Sequence, residues 1–260
     1  MSESELQVGK VLYDEDDHKV VWLGWGDDDD RGAVQTNQSL IVNKGKGILL
    51  DPGGVHLFSR VVAVISNYID LDSIETIFFS HQDPDVSSGI ALWLGVTNAD
   101  IYISELWLRF VPHFGIIDQN RLKKVEDGGG SISLRSGEEL KLIPAHFLHS
   151  PGNFALWDPV SSILFSGDIG AAVFSKENRT VFIEDFDSHT SLMEGFHKRY
   201  MSSGKICKRF VQNVRSTVGD QKVRMIAPQH GGIFYGNDVE RFLSWFEALK
   251  CGTDIIDEIG

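Results

Sequence analysis

The segment SHQDPDV sets a histidine and two aspartates, His81, Asp83 and Asp85, at alternating positions directly after a run of apolar residues. Imidazole nitrogens and carboxylate oxygens are the donors that hold first-row metal ions. Along an extended loop, this alternation would turn all three side chains toward one centre. Three further strand ends carry such a donor: His149 in HFLHSPGNF, Asp168 in ILFSGDIG and His230 in MIAPQHGG. Each stands beside Gly, Pro or Ser, residues that let a strand turn sharply and present a side chain at its rim. A single histidine after a strand is more often structural than a ligand. Four such strand ends in one chain point to a metal site with a mixed oxygen and nitrogen shell.

The elements that must carry these donors are legible as apolar runs and stripes. Val20–Trp25, Gln38–Gly45 and Gly47–Asp51 read as short strands bounded by Gly, Asn and Asp. The stretch His56–Ile69 has a helical apolar stripe, and Ile74–Ser80 reads as a buried strand leading into His81. A helix is expected from about Ser87, then a strand over Ala99–Ser104. Two strand pairs follow, turning at RSGEE and DPVSS. A long interrupted helical segment, the strand VRMIAP and the helix DVERFLSWFEALK close the chain. Strands then helices, twice, predicts an α/β fold: a sandwich of two sheets with helices outside, over 1–260 as a single domain.

Composition narrows the function classes. A chain of 260 residues that is 42% hydrophobic can bury a sizeable core. Lys+Arg 24 against Asp+Glu 37 gives 24 − 37 = −13, which argues against nucleic acid or an anionic membrane as partner. The run Asp27–Asp30 is expected to be a solvated loop, because like charges repel and seek water. Two cysteines without a CxxC argue against a disulfide scaffold, a zinc ribbon and a thiolate cluster. A charged N-terminus and the lack of a long apolar run point to a soluble, cytoplasmic protein.

The ordered set HxDxD-Val, LHSPG, FSGD and PQHGG resembles the metallo-β-lactamase superfamily, and within it the flavodiiron proteins, over most of the chain. That resemblance implies an αββα sandwich of two mixed sheets. It also implies two iron ions bridged by oxo, hydroxo or peroxo oxygen. Carried over by position, His81, Asp83 and His149 would hold the first metal, Asp85 and His230 the second, and Asp168 would bridge them. Zinc hydrolases of the superfamily have a histidine where Asp83 stands; a harder, anionic donor there suits iron.

Two departures bear on activity. The acid is Asp83 where flavodiiron proteins use Glu, and the closing histidine of the loop is replaced by Val86, which binds no metal. The second metal would then carry water or keep a position open to a small molecule such as O2. No phosphate-cradling loop follows PQHGG, so neither FMN nor a flavodoxin domain is expected. The free-standing form resembles the oxygen-binding diiron proteins of bacterial chemotaxis, which implies an oxygen or iron sensor read by a chemoreceptor or histidine kinase, and leaves a homodimer open. Two other functions compete: an O2 or NO reductase fed by a separate flavoprotein, and a zinc-dependent hydrolase. Val86, His146 and Tyr235 are the candidates for an oxygen pocket, Tyr235 as a proton donor. Asp51 in DPGG either orients a ligand or makes a plain turn. His113 is a weaker candidate, and His18, His56, His189 and His197 carry no assignment.

Overall fold

In the computed structural model, the structure describes residues 8–25, 34–116, 119–174 and 179–259; the acidic run Asp27–Asp30 lies outside them. The chain divides into two compact units: Met1–Asp127 with Ser133–Glu139, and Gly128–Ile132 with Leu140–Gly260.

The first unit carries a mixed sheet of seven strands in sequential order: β1 (Lys10–Glu15), β2 (His18–Trp22), β3 (Ser39–Asn43), β4 (Lys46–Leu50), β5 (Ile74–Phe78), β6 (Asp100–Ser104) and β7 (Leu122–Val125). Pairing is antiparallel from β1 to β4 and parallel from β4 to β7. The change of sense follows the crossovers through helices α1 (Phe58–Ile65), α2 (Pro84–Ser87) and α3 (Ile90–Val96). β4 and β5 are buried almost end to end, which explains their near-continuous apolar sequence. Helix α1 stops at Ile65, short of the expected Ile69. The Ser66 hydroxyl donates to the Val62 carbonyl (2.9 Å), and the Asn67 amide to that of Val64 (3.1 Å), taking up the last carbonyls. The apolar core joins Leu49, Val61, Ile77, Val86 and Trp93.

The second unit is built on a mixed six-stranded sheet ordered β13-β12-β11-β10-β9-β8. Its strands are β8 (Gly130–Ser133), β9 (Glu139–Pro144), β10 (Phe154–Asp158), β11 (Ile163–Gly167), β12 (Met225–Pro228) and β13 (Phe234–Tyr235). β11 and β12 are parallel, while β9, β10 and β11 run antiparallel in sequence. Helices α4 (Phe186–Tyr200), α5 (Gly204–Val218) and α6 (Asn237–Ala248) bury Met193, Phe210, Val214 and Phe242 in one core with Trp157 and Ile226. The interruption between α4 and α5 falls at Met201–Ser203, where Met201 and Ser203 take extended angles.

The strands that sequence pattern misses are those with least buried apolar surface: β1 buries only Leu12, β7 only Val125, and β13 has two residues. Among the described residues no helix is long and apolar enough to cross a membrane.

Candidate metal centre

In the first unit the donors follow the C-terminal end of β5. The Asp51 backbone N–H donates to the Phe78 carbonyl (3.0 Å), and the Asp51 carboxylate accepts from the Ser80 N–H (2.7 Å). Asp51, at a φ of 43°, thus acts on the donor segment through the backbone just before His81. The His81 imidazole is 1% exposed; its Nδ1 meets the Ser80 hydroxyl at 3.0 Å and its Nε2 faces Asp83 Oδ2 at 3.9 Å. The Gln82 amide donates to the other oxygen, Asp83 Oδ1, at 2.9 Å.

The expected extended loop through Asp85 is not found. Pro84 is the first residue of α2, a position where its missing N–H costs nothing and its fixed φ suits a helix. It also confines Asp83 to extended angles, φ −60° and ψ 150°. Asp83 therefore ends the extended run, and Asp85 and Val86 lie within a helical turn that starts three residues before the expected Ser87. The Ser87 hydroxyl closes that turn on the carbonyls of Gln82 (2.8 Å) and Asp83 (3.0 Å). Asp85 is half-buried, whereas Val86 is wholly buried and belongs to the unit's apolar core.

The second unit brings three distant donors together. Register between parallel β11 and β12 sets Gly167 beside Pro228, and the Gln229 N–H donates to the Gly167 carbonyl (2.8 Å). Asp168 and His230 thereby leave adjacent strands side by side. The two carboxylate oxygens of Asp168 each face an imidazole: Oδ1 lies 3.4 Å from His230 Nε2 and Oδ2 lies 3.7 Å from His149 Nδ1. Asp168 and His230 are buried, at 4% and 6% exposure. His149 sits in a tight loop beyond β9, with the left-handed φ of 69°, and Phe147 before it has 63°. Non-glycine residues rarely hold such angles unless their surroundings enforce them. Here the Asn153 amide donates to the Leu148 carbonyl (2.7 Å), and the His149 ring lies against Phe196 (centroids 5.7 Å) and Tyr200 (5.4 Å) of α4.

His197, without assignment from sequence, supports the Asp168 loop. Its Nδ1–H donates to the Met193 carbonyl (2.7 Å), so Nε2 is the acceptor that takes the Gly170 N–H at 2.9 Å. The ring must be neutral to do this, and burial pushes its pKa down to about 4. A hint exists in sequence: Phe186, His189, Met193 and His197 share the buried stripe of α4. His189 is likewise buried, with a pKa lowered to about 4 by desolvation, between the rings of Phe174 and Phe234.

Three pocket candidates are placed as follows. Val86 is a core residue, as above. His146 sets its ring edge-on to Phe154 (5.0 Å) in the loop with His149; that loop is a turn and not a strand continuation, so strand alternation does not set their relative direction. The short β13 buries Phe234 against Phe242 and turns Tyr235 outward, 48% exposed, its ring against Phe182. His113 is exposed and lines an apolar cavity of about 320 Å³ in the first unit, together with Gln82, Trp107 and Phe110. His18 is buried against Asn43 and His56 is exposed.

Each half fits a hard cation in donor chemistry: imidazole beside carboxylate, in buried positions held by hydrogen-bonded neighbours. A carboxylate with one oxygen toward each of two imidazoles suits a ligand shared between two metals.

Comparison with known proteins agrees with this chemistry. The model of a family described as ODP family beta lactamase matches residues 34–231. A solved structure of the "peroxy diiron species of chemotaxis sensor ODP" is 57% identical, with TM-score 0.86 over 97% of this chain and 99% of that chain. The apo state of chemotaxis sensor ODP from T. denticola is 55% identical over the same shares, with TM-score 0.84. Rubredoxin oxygen:oxidoreductase from Desulfovibrio gigas, 18% identical with TM-score 0.73, covers 92% of this chain and 61% of that chain and shares the fold. The anaerobic nitric oxide reductase flavorubredoxin of Vibrio vulnificus is 25% identical over 80% of this chain, which spans 42% of that protein. An uncharacterized protein of Methanocaldococcus jannaschii is 23% identical over 81% of this chain and 53% of its own length. The chain thus spans about half the length of these curated relatives. The expected fold class, α/β with two mixed sheets and helices of the metallo-β-lactamase type, is the one observed.

Proposed function

Because the chain belongs to the ODP family of beta lactamases, we propose that it is a non-haem diiron protein that binds O2 and acts as an oxygen and iron sensor in chemotaxis-like signalling. The observation that carries the metal assignment is Asp168, with one oxygen toward His149 and the other toward His230. The sensor assignment draws on the likeness to chemotaxis sensor ODP over nearly the whole of both chains. In this reading 1–260 act as one domain, in the cytoplasm. His81, Asp83 and His149 hold one iron, Asp85 and His230 the other, and Asp168 is shared.

Ferrous iron supplies the capacity to bind O2. The chain's own residues set the conditions. Ser80 orients His81 through Nδ1, and the Gln82 amide holds Asp83 Oδ1 so that Oδ2 stays directed at the imidazole. His197 pins the Asp168 loop, and Asn153 with the α4 rings pins His149. Val86, in the unit's apolar core, offers no donor where flavodiiron relatives have a histidine, so the second metal would have one protein ligand fewer. The buried donors keep proton sources scarce, a condition that would slow O–O cleavage. Sensing requires a reader, a chemoreceptor or a histidine kinase, and a homodimer is compatible with that complex.

The test is anaerobic reconstitution with iron, followed by metal analysis and optical spectra before and after O2. The expected result is about two irons per chain and a slowly decaying visible band. Steady O2 or NO consumption with a flavoprotein donor would favour a reductase. Retention of zinc over iron, with ester or phosphodiester turnover, would favour a hydrolase. Either result overturns the sensor reading.

A further inference from the structure

Cys207 and Cys251 stand 44 residues apart in sequence, and the fold of the second unit brings them together. Cys207, in the first turn of α5, and Cys251, after α6, have their sulfurs 3.6 Å apart, and neither residue is exposed. Both belong to the unit's apolar core.

Their approach is enforced from both sides. Residues 249–254 lie against the end of α4 and the linker to α5: the Gly252 N–H donates to the Lys198 carbonyl (2.9 Å) and the Thr253 N–H to that of Ser202 (2.9 Å). Asp254 Oδ2 accepts from the backbone N–H of both Gly204 (2.6 Å) and Cys251 (3.2 Å), joining the two cysteine-bearing segments through one carboxylate. Two glycines permit this closeness. A Cβ at Gly204 would stand 2.3 Å from the Leu249 carbonyl oxygen, and one at Gly252 would stand 2.3 Å from those of Met201 and Ser202. Gly252 also has a φ of 54°. The sulfurs therefore have little freedom to separate while the segment stays docked.

We propose that Cys207 and Cys251 form a redox-responsive dithiol, oxidised by a hydroperoxide to a disulfide that staples the segment after α6 to the start of α5. Either sulfur can donate the hydrogen bond between them, so the first attack is open to both. One sulfur attacks the peroxide, the O–O bond breaks, and a sulfenic acid and one water form. The other sulfur then attacks the sulfenic sulfur, closing the S–S bond and releasing a second water. Two thiols lose two electrons and hydrogen peroxide is reduced to two waters. With both sulfurs buried, the oxidant enters when the docked segment opens, so the reaction is slower than that of a surface thiol. This proposal is independent of the metal centre.

The experiment treats the iron-loaded full chain, without reductant, with hydrogen peroxide and in parallel with diamide, a dithiol oxidant that needs no peroxide. The expected result is loss of both titratable thiols and a mass lower by about 2 Da, the two hydrogens given up. After trypsin, the peptide beginning at Ile206 should be joined to the one beginning at Cys251. Closing so long a loop should raise Tm by on the order of 10 °C, reversibly with dithiothreitol. Cys207→Ala and Cys251→Ala should each abolish the mass loss; should either fail to fold, the wild-type cross-link decides. Thiols that persist under native conditions and oxidise only after denaturation would overturn the proposal. So would oxygen addition at one cysteine in place of cross-linking, or dimers joined between chains.

Discussion

In the first unit the donors succeed one another at a single strand end, and their geometry is set by neighbours in sequence: Ser80, Gln82, Pro84 and Ser87. In the second unit His149, Asp168 and His230 leave three strand ends far apart in the chain. Their geometry depends on the β11–β12 register and on α4, which supplies His197, Phe196 and Tyr200. A contiguous set is robust to changes elsewhere because its supports travel with it. A distributed set can be disturbed from any element that holds one member in place.

Removing the carboxylate proposed as shared is the largest break available. Asp168→Ala leaves His149 and His230 facing each other's space with no anion between them, and most of the iron should be lost on anaerobic reconstitution. Asp85→Ala, on the short helix of the first unit, should retain more. Equal retention of iron in the two variants, measured per chain, would remove the special place given to Asp168.

Acid should expose the second unit next. Unfolded histidine titrates near 6.5, and burial holds His189 and His197 to about 4 in the folded unit. Between those values the unfolded chain binds more protons. The stability these two residues confer is therefore complete above about pH 6.5 and is lost as pH falls toward 4, by on the order of 3 kcal/mol for each. Denaturant unfolding of metal-free protein at stepped pH, read by tryptophan fluorescence, checks this. His189→Phe should flatten roughly half of the dependence.

The supports come third. His197→Phe removes the acceptor for Gly170 N–H while filling the space, and Ser80→Ala removes the partner of His81 Nδ1. Loss of such an outer partner costs roughly 10–100-fold in metal affinity. If distributed sets are the more fragile, His197→Phe should stand at the upper end and Ser80→Ala at the lower. Competition with a chelator measures both, and the reverse order would break the comparison.

The same contrast governs what could be read from sequence. SHQDPDV was visible because three donors and the proline share one stretch, yet that proline also bends the run, so Asp85 sits in a helical turn and not on an extended strand. Asp168 and His230 were visible as strand ends, but only the parallel register sets them side by side. His197 looked like any helix histidine, because its partner Gly170 lies on another element. For Tyr235, nearness to a ligand in sequence says nothing about direction; the alternation of β13 buries Phe234 and leaves Tyr235 exposed. The cysteine pair was invisible for the same reason as His197. Strands with buried apolar runs were legible, and charged edge strands such as β7 were not.

The smallest expected difference concerns how each unit ties down its terminal segment. In the first unit the exposed Tyr68 hydroxyl donates to the Val8 carbonyl at 2.7 Å, a single neutral hydrogen bond at the start of the sheet. In the second, the Asp254 carboxylate accepts from two backbone N–H groups at once. A neutral bond contributes about 0.5–1.5 kcal/mol and one to a charged group about 1.5–3 kcal/mol. Tyr68→Phe should therefore cost about 1 kcal/mol and Asp254→Ala about twice that, read from denaturant midpoints at constant slope. Hydrogen exchange should separate the two further. Asp254→Ala should speed exchange at Gly204 and Cys251, whose N–H groups lose their acceptor, whereas Tyr68→Phe frees a carbonyl and leaves every backbone N–H partner in place. Equal exchange at those two amides in wild type and Asp254→Ala would mean that the glycine-permitted backbone approach, and not the carboxylate, holds the segment down.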